Sequence, residues 1–175
     1  MLTPLQINLR PNYEISQIIK GGWQLAGDHG VVEQSRAVND MIAFYDAGIT
    51  TFDCADIYTG VEEMIGEFLR KLKNSRGAAA MAKVKVHTKY VPDIAQLLTL
   101  SKRDVSAIID RSLQRLGLER LDLVQFHWWD YSVPGCLKAI GFLDELRRDG
   151  KIDQIGVTNF DAEHLFYSAN IISSH

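Results

Sequence analysis

The chain has 175 residues, 46% hydrophobic and 23% charged, a composition that suits one domain with a sizeable core and excludes disorder. A net charge of −3, a pI near 5.9 and the lack of a Lys/Arg-rich face exclude an electrostatic nucleic-acid binder; the densest basic stretch, Arg70, Lys71, Lys73 and Arg76, reads as a solvated helix end. Cys54 and Cys136 give neither metal-ligand spacing nor a disulfide framework, and neither a leader sequence nor an apolar run of about 18 residues is visible, so a cytoplasmic setting with no membrane partner is expected.

In chain order, LQINLRPNYEISQII, broken at Pro11 and Asn12, predicts a small strand or hairpin segment over 1–16, the start of a single domain spanning 1–175. IIKGGWQLAG (18–27) predicts a strand end and loop. Val38, Met41, Ile42 and Tyr45 follow the 3.6-residue period of a helix over 33–47, with Gly48 placed to end it. Strand ITTFDCA follows, with Cys54 expected in the core, and then a helix over 61–73 with Met64, Ile65, Phe68, Leu69 and Leu72 on one face. The small-residue stretch GAAAMA (77–82) leads into strand KVKVHTK. Helix 102–116 carries a Val105, Ile108, Ile109, Leu113, Leu116 stripe, and Ser101 and Asp104 stand as a capping box. Strand LDLVQFH, helix 135–149, strand 151–160 and a further helix from 162 complete the order.

Strand then helix, repeated, predicts a parallel α/β fold. The local pattern fits either an open doubly wound sheet or part of an eight-stranded barrel. GGWQLAG lacks the spacing of a dinucleotide-binding G-x-G-x-x-G, and neither a P-loop nor a GxSxG elbow is present.

Four polar residues close three of these strands: Asp53 and Tyr58 in TFDCADIY, Lys89 in VKVHTKY and His127 in LDLVQFHW. Strand C-termini share one end of a parallel sheet, where ligands bind. Alone, each residue has an ordinary explanation as a turn acid, a packing tyrosine, a solvated lysine or a rim histidine. Together they suit carbonyl reduction, which needs a proton donor and a polar environment at the carbonyl oxygen. A free tyrosine has a pKa of about 10, so donating near neutrality asks for about 3–4 kcal/mol of help. An ammonium about 4 Å away is worth ~4 kcal/mol at an effective dielectric of 20. Lys89 is the candidate for that charge, Asp53 for holding it, and His127 for orienting the carbonyl.

The sequence resembles the aldo-keto reductase family. Asp53-x-Ala55-x-x-Tyr58 reproduces its D-x-A-x-x-Y segment, Thr88-Lys89 its T/S-K strand end, LVQFHWWD the strand bearing its histidine, and IGVTNF (155–160) its I-G-V-S/T-N-F strand. GGWQL and RSLQRLGLERLDLV (111–124) also match, so the resemblance covers about residues 15–175. It implies a (β/α)8 TIM barrel of the aldo-keto reductase type, here truncated after about five βα units, that reduces small-molecule aldehydes or ketones with NADPH. It also implies roles: Tyr58 as acid, Lys89 and Asp53 as its tuning partners, His127 orienting substrate, and Gly22, Trp23, Asp53, Thr158 and Asn159 at the cofactor. Trp23 and Trp128 would line the substrate pocket. The resemblance places the residue that stacks on the nicotinamide and the adenosine and phosphate contacts beyond His175, so little activity is expected of this length alone. Exposed barrel edges are expected to promote self-association. Two other readings stay open: a non-catalytic regulatory or scaffold member of the same fold, such as the potassium-channel β subunits, and a barrel aldolase using Lys89 as a Schiff base, which a neighbouring acid disfavours by keeping the lysine charged.

Overall fold

Pro11 and Asn12 turn the chain between β1 (Gln6–Arg10) and β2 (Tyr13–Ser16), an antiparallel hairpin. Asn12 sits at φ +64°, a left-handed conformation that asparagine tolerates. In this computed structural model residues 5–27, 30 and 32–173 are described; the expectations for residues 1–4 and His175 lie outside them. The hairpin is fastened by Ser16, whose N–H donates to Thr51 Oγ1 at 2.9 Å and whose Oγ accepts from the N–H groups of Thr50 and Thr51. Thr51 opens a strand, so the hairpin stands at the end of the sheet where strands begin.

The sheet has five parallel strands: β3 (Ile19–Gly21), β4 (Thr51–Asp53), β5 (Lys85–Tyr90), β6 (Leu121–Phe126) and β7 (Ile152–Val157). Their order is their order in the chain. A doubly wound sheet reverses direction at a switch point; this one does not, which is the winding of a barrel. The crossovers are α1 (Gln34–Asp46), α2 (Val61–Arg76) with the one-turn α3 (Ala78–Met81), α4 (Lys102–Leu116) and α5 (Cys136–Arg148), and α6 (Ala162–Ser173) follows β7. Consecutive major helices touch: α1 with α2, α2 with α4, α4 with α5, and α5 with α6. Among the described residues β3 and β7 each pair on one side only, and no helix is long and apolar enough to cross a membrane.

Departures from expectation are local. α2 runs to Arg76, and the basic cluster is not merely solvated: Arg76 pairs with Asp46 at the end of α1, holding that carboxyl below its ordinary range, and Lys71 bonds Asn39 at 2.5 Å. GAAAMA folds as α3 rather than a plain connection, as its alanines favour. Short 3-10 helices at Trp23–Leu25 and Ile94–Thr99 carry no periodic signal and were not legible.

Strand alternation divides the sheet into two faces. Phe52, Val86, Tyr90, Val124, Phe126 and Trp128 belong to one buried cluster with Ile65, Phe68, Leu69 and Leu72 of α2, Val105, Ile109 and Leu116 of α4, and Ile140 and Leu143 of α5. Each large side chain there contributes about 1.5–3 kcal/mol by burial. Helices α2 and α4 approach closely at Gly66, where a Cβ would lie 2.3 Å from the Arg115 carbonyl. α4 starts with the expected box, Ser101 accepting from the Asp104 N–H and Asp104 from the Ser101 N–H.

Candidate functional site

Past Asp53 the chain leaves β4 but still follows β5, with the Cys54 N–H donating to the His87 carbonyl at 2.8 Å and the Asp56 N–H to the Lys89 carbonyl at 3.1 Å. Two tight turns, Tyr58 N–H to Ala55 carbonyl and Val61 N–H to Tyr58 carbonyl, then swing Tyr58 over the strand end before α2 begins. Gly22 packs against this corner: a Cβ there would lie 2.8 Å from both the Asp53 carbonyl and Val61 Cγ1. Its glycine is required by close approach.

Asp53, Tyr58, Lys89 and His127 stand at the same end of the sheet. Lys89 Nζ donates to Asp53 Oδ2 at 2.5 Å and to the Cys54 carbonyl at 2.8 Å, and lies 5.2 Å from the centroid of the Tyr58 ring. Asp53 Oδ1 accepts from Gln125 Nε2 at 2.8 Å. His127 Nδ1 is 3.5 Å from the Thr158 carbonyl, and its ring meets Trp129 edge-on, centroids 4.6 Å apart. Tyr58, Lys89, His127, Thr158 and Asn159 share an open cleft of about 400 Å³ with Ala55, Ile57, Val91 and Trp129. A more open hollow of about 590 Å³ beyond Thr59 and Gly60 has, among the described residues, no titratable group in its wall.

Trp128 corrects the sequence reading. It is buried in the helix-side core, its indole N–H donating to the Asp130 carbonyl at 2.9 Å, and it does not line the cleft. Trp129 stands there instead, its N–H donating to the Pro92 carbonyl at 2.7 Å. Trp23 is exposed at the head of a 3-10 helix and is not among the residues lining the cleft. Period 2 along the strand carried the missed signal: Val124, Phe126 and Trp128 point to the helices, so Gln125, His127 and Trp129 point away.

A buried polar network backs the site. Glu62, fully buried, accepts from Thr88 Oγ1 at 2.7 Å and pairs with Arg115 at 3.3 Å, and Arg115 also donates to the Asp56 carbonyl at 3.0 Å. It therefore links the residue before Lys89 to the loop bearing Tyr58. Burial pushes the Asp56 carboxyl up to about 7, against the opposing pull of the Val91 N–H and Arg111. Burial also raises the Cys54 thiol and lowers the His87 imidazole, so Cys54 stays a protonated core residue.

Thr158 and Asn159, a hydroxyl and a carboxamide residue each able to donate and accept, belong to the lining of the cleft that includes Tyr58. Asn159 holds φ +60°, and its carbonyl accepts from the Tyr131 hydroxyl at 3.4 Å.

The profile of the Aldo/keto reductase family matches residues 17–169. An Escherichia coli (strain K12) protein named NADH-specific methylglyoxal reductase is 28% identical over 167 residues, 86% of this chain and 50% of its own length. A Schizosaccharomyces pombe protein provisionally named as a voltage-gated potassium channel subunit beta is 27% identical over 175 residues, 98% of this chain and 50% of its own. The crystal structure of a Bombyx mori aldo-keto reductase in complex with NADP superposes with a TM-score of 0.77 at 19% identity, covering 97% of this chain and 55% of that one. The chain spans about half the length of the curated relatives it matches.

Proposed function

The chain belongs to the aldo/keto reductase family, and on that premise we propose that its cleft is the acid–base end of a nicotinamide-dependent carbonyl reductase site. The observation that carries the reading is the Asp53–Lys89 pair set beneath the Tyr58 ring in a cleft shared with His127. When bound, the dihydronicotinamide supplies a hydride to the carbonyl carbon. The oxygen then carries the electron pair of the former C=O π bond, and the Tyr58 O–H gives it the proton that completes the alcohol. Lys89 stabilises the tyrosinate left behind, Asp53 keeps the lysine charged and placed, and His127 orients the carbonyl oxygen. Ile57, Val91 and Trp129 offer apolar walls to the substrate's carbon chain, and Thr158 and Asn159 would hold the nicotinamide amide.

NADPH is the proposed hydride source, and NADH is the comparison arm, given the relative named NADH-specific. Residues 1–175 alone are expected to bind the cofactor weakly and turn over slowly, so the decisive assay is single-turnover reduction of a small aldehyde by concentrated protein. Tyr58→Phe is expected to slow that step about 10²–10⁴-fold, the range for a lost general acid, with cofactor affinity unchanged. Rates within a few-fold of each other refute Tyr58 as donor. A second reading, a non-catalytic member of the fold, is favoured by the channel-subunit relative; cofactor uptake without any single-turnover reduction supports it. Light scattering on the same sample reads the proposed self-association through the β3 and β7 edges.

A further inference from the structure

Asp53 is gripped through both carboxylate oxygens, and only one of the two donors belongs to the residues that the family resemblance assigns to catalysis. Oδ2 takes Lys89 Nζ; Oδ1 takes the Gln125 carboxamide N–H at 2.8 Å. Gln125 stands beside Lys89 across the β5–β6 ladder, and its other neighbour, on β7, is Gly156. A Cβ built on that glycine would lie 3.8 Å from Gln125 Cγ. Opposite a carboxylate, an amide must present its nitrogen, which settles the orientation of the Gln125 side chain.

We propose that Gln125 is a positioning residue of this site: by holding Asp53 Oδ1 it fixes the plane of the carboxylate, so that Oδ2 stays on Lys89 and Lys89 stays beneath the Tyr58 ring. A carboxylate with a donor on one oxygen only can rotate about its Cβ–Cγ bond and share that donor between its two oxygens. A carboxylate with a donor on each is held in one plane, because leaving that plane breaks both bonds at once. Lys89 has the Cys54 carbonyl as a second anchor, so loss of Gln125 loosens the pair without detaching the lysine. The titratable groups around Asp53 are Lys89 and His87 on β5 and Cys54 beside it, while β6 presents the neutral Gln125. The catalytic consequence rests on the reductase reading; the geometric claim does not.

The test follows the Lys89 ammonium and Asp53 carboxylate signals by NMR at one neutral pH in the 175-residue protein, with folding checked by circular dichroism. In Gln125→Leu, which keeps the bulk and removes the donor, the single Lys89 ammonium signal is expected to broaden or split and the Asp53 carboxylate signal to shift, since one of the two donors on that carboxylate has been lost. In Gln125→Glu, nearly isosteric, a second carboxylate replaces the donor and both signals are expected to move further. Lys89 and Asp53 signals that superimpose on wild type in a folded Gln125→Leu protein overturn the proposal; if that variant does not fold, unmoved signals in Gln125→Glu overturn it equally. A merely structural glutamine would lower the unfolding midpoint and leave both signals in place. The reductase reading is decided separately, by the rate ratio of wild type to Tyr58→Phe.

Discussion

The two faces of β6 and its extension use alternate residues of one sequence for opposite ends. Val124, Phe126 and Trp128 are buried against the helices, where they hold α4 and α5 to the sheet. Gln125, His127 and Trp129 point the other way and reach Asp53, Thr158 and Pro92 respectively. β5 does the same, with Val86, Thr88 and Tyr90 buried toward the helices and Lys85, His87 and Lys89 on the other face. The buried apolar side chains are thus concentrated on one side and most of the polar ones on the other, one peptide unit apart. A change of register by a single residue would exchange them.

The sharpest way to break that division is to cut each face separately. Phe126→Ala removes a fully buried ring from the helix side and is expected to cost about 3–5 kcal/mol of unfolding free energy in a denaturant titration. A loss under about 1 kcal/mol would mean that the helix layer does not depend on this strand.

Asp56, buried in the turn after β4 where it accepts from the Val91 N–H, should give the molecule a pH signature. Its carboxyl is pushed up to about 7 by burial, so between about pH 4 and 7 the folded protein holds a proton that the unfolded chain has released. Stability therefore falls as pH rises through that window, by on the order of 3–4 kcal/mol, and is then level with respect to this group. Asp56→Asn should flatten the fall, because an amide can still accept from the Val91 N–H and carries no charge to desolvate. Thermal unfolding across pH in the two proteins measures the difference, and parallel curves would remove Asp56 from the account.

Smaller effects sharpen the picture. Ser101→Ala takes the cap from α4 and should cost about 1 kcal/mol, independent of any ligand. Lys89→Met cuts the open face; it leaves a part-buried carboxylate that keeps Gln125 as a donor, and its cost should stay below that of Phe126→Ala. Under the proposed reductase function, carbonyl reduction should nevertheless fall. A Lys89→Met protein as unstable as Phe126→Ala would show that the open face bears structural weight after all.

Local patterning carried the order of elements, the amphipathic helices, the α4 box and the strand-end placement of Asp53, Tyr58, Lys89 and His127. All of these rest on local periodicity or on residues a few positions apart. Local pattern did not separate a barrel winding from a doubly wound sheet, because strand order is a relation between segments some thirty residues apart; the family resemblance implied the barrel, and the uninterrupted β3-to-β7 ladder bore it out. Tertiary structure also decided which of two adjacent tryptophans is core and which is cleft. Identical side chains at Trp128 and Trp129 differ only in the direction of the pleat, and that direction is set by where β6 pairs with β5 and β7. The bond from Gln125 to Asp53 spans 72 positions in the chain, and the network through Thr88, Glu62 and Arg115 joins β5, α2 and α4. Partners so distant in sequence leave no periodic trace. They become neighbours only when burying the apolar face of each helix against the sheet brings the polar edges of the strands into one place.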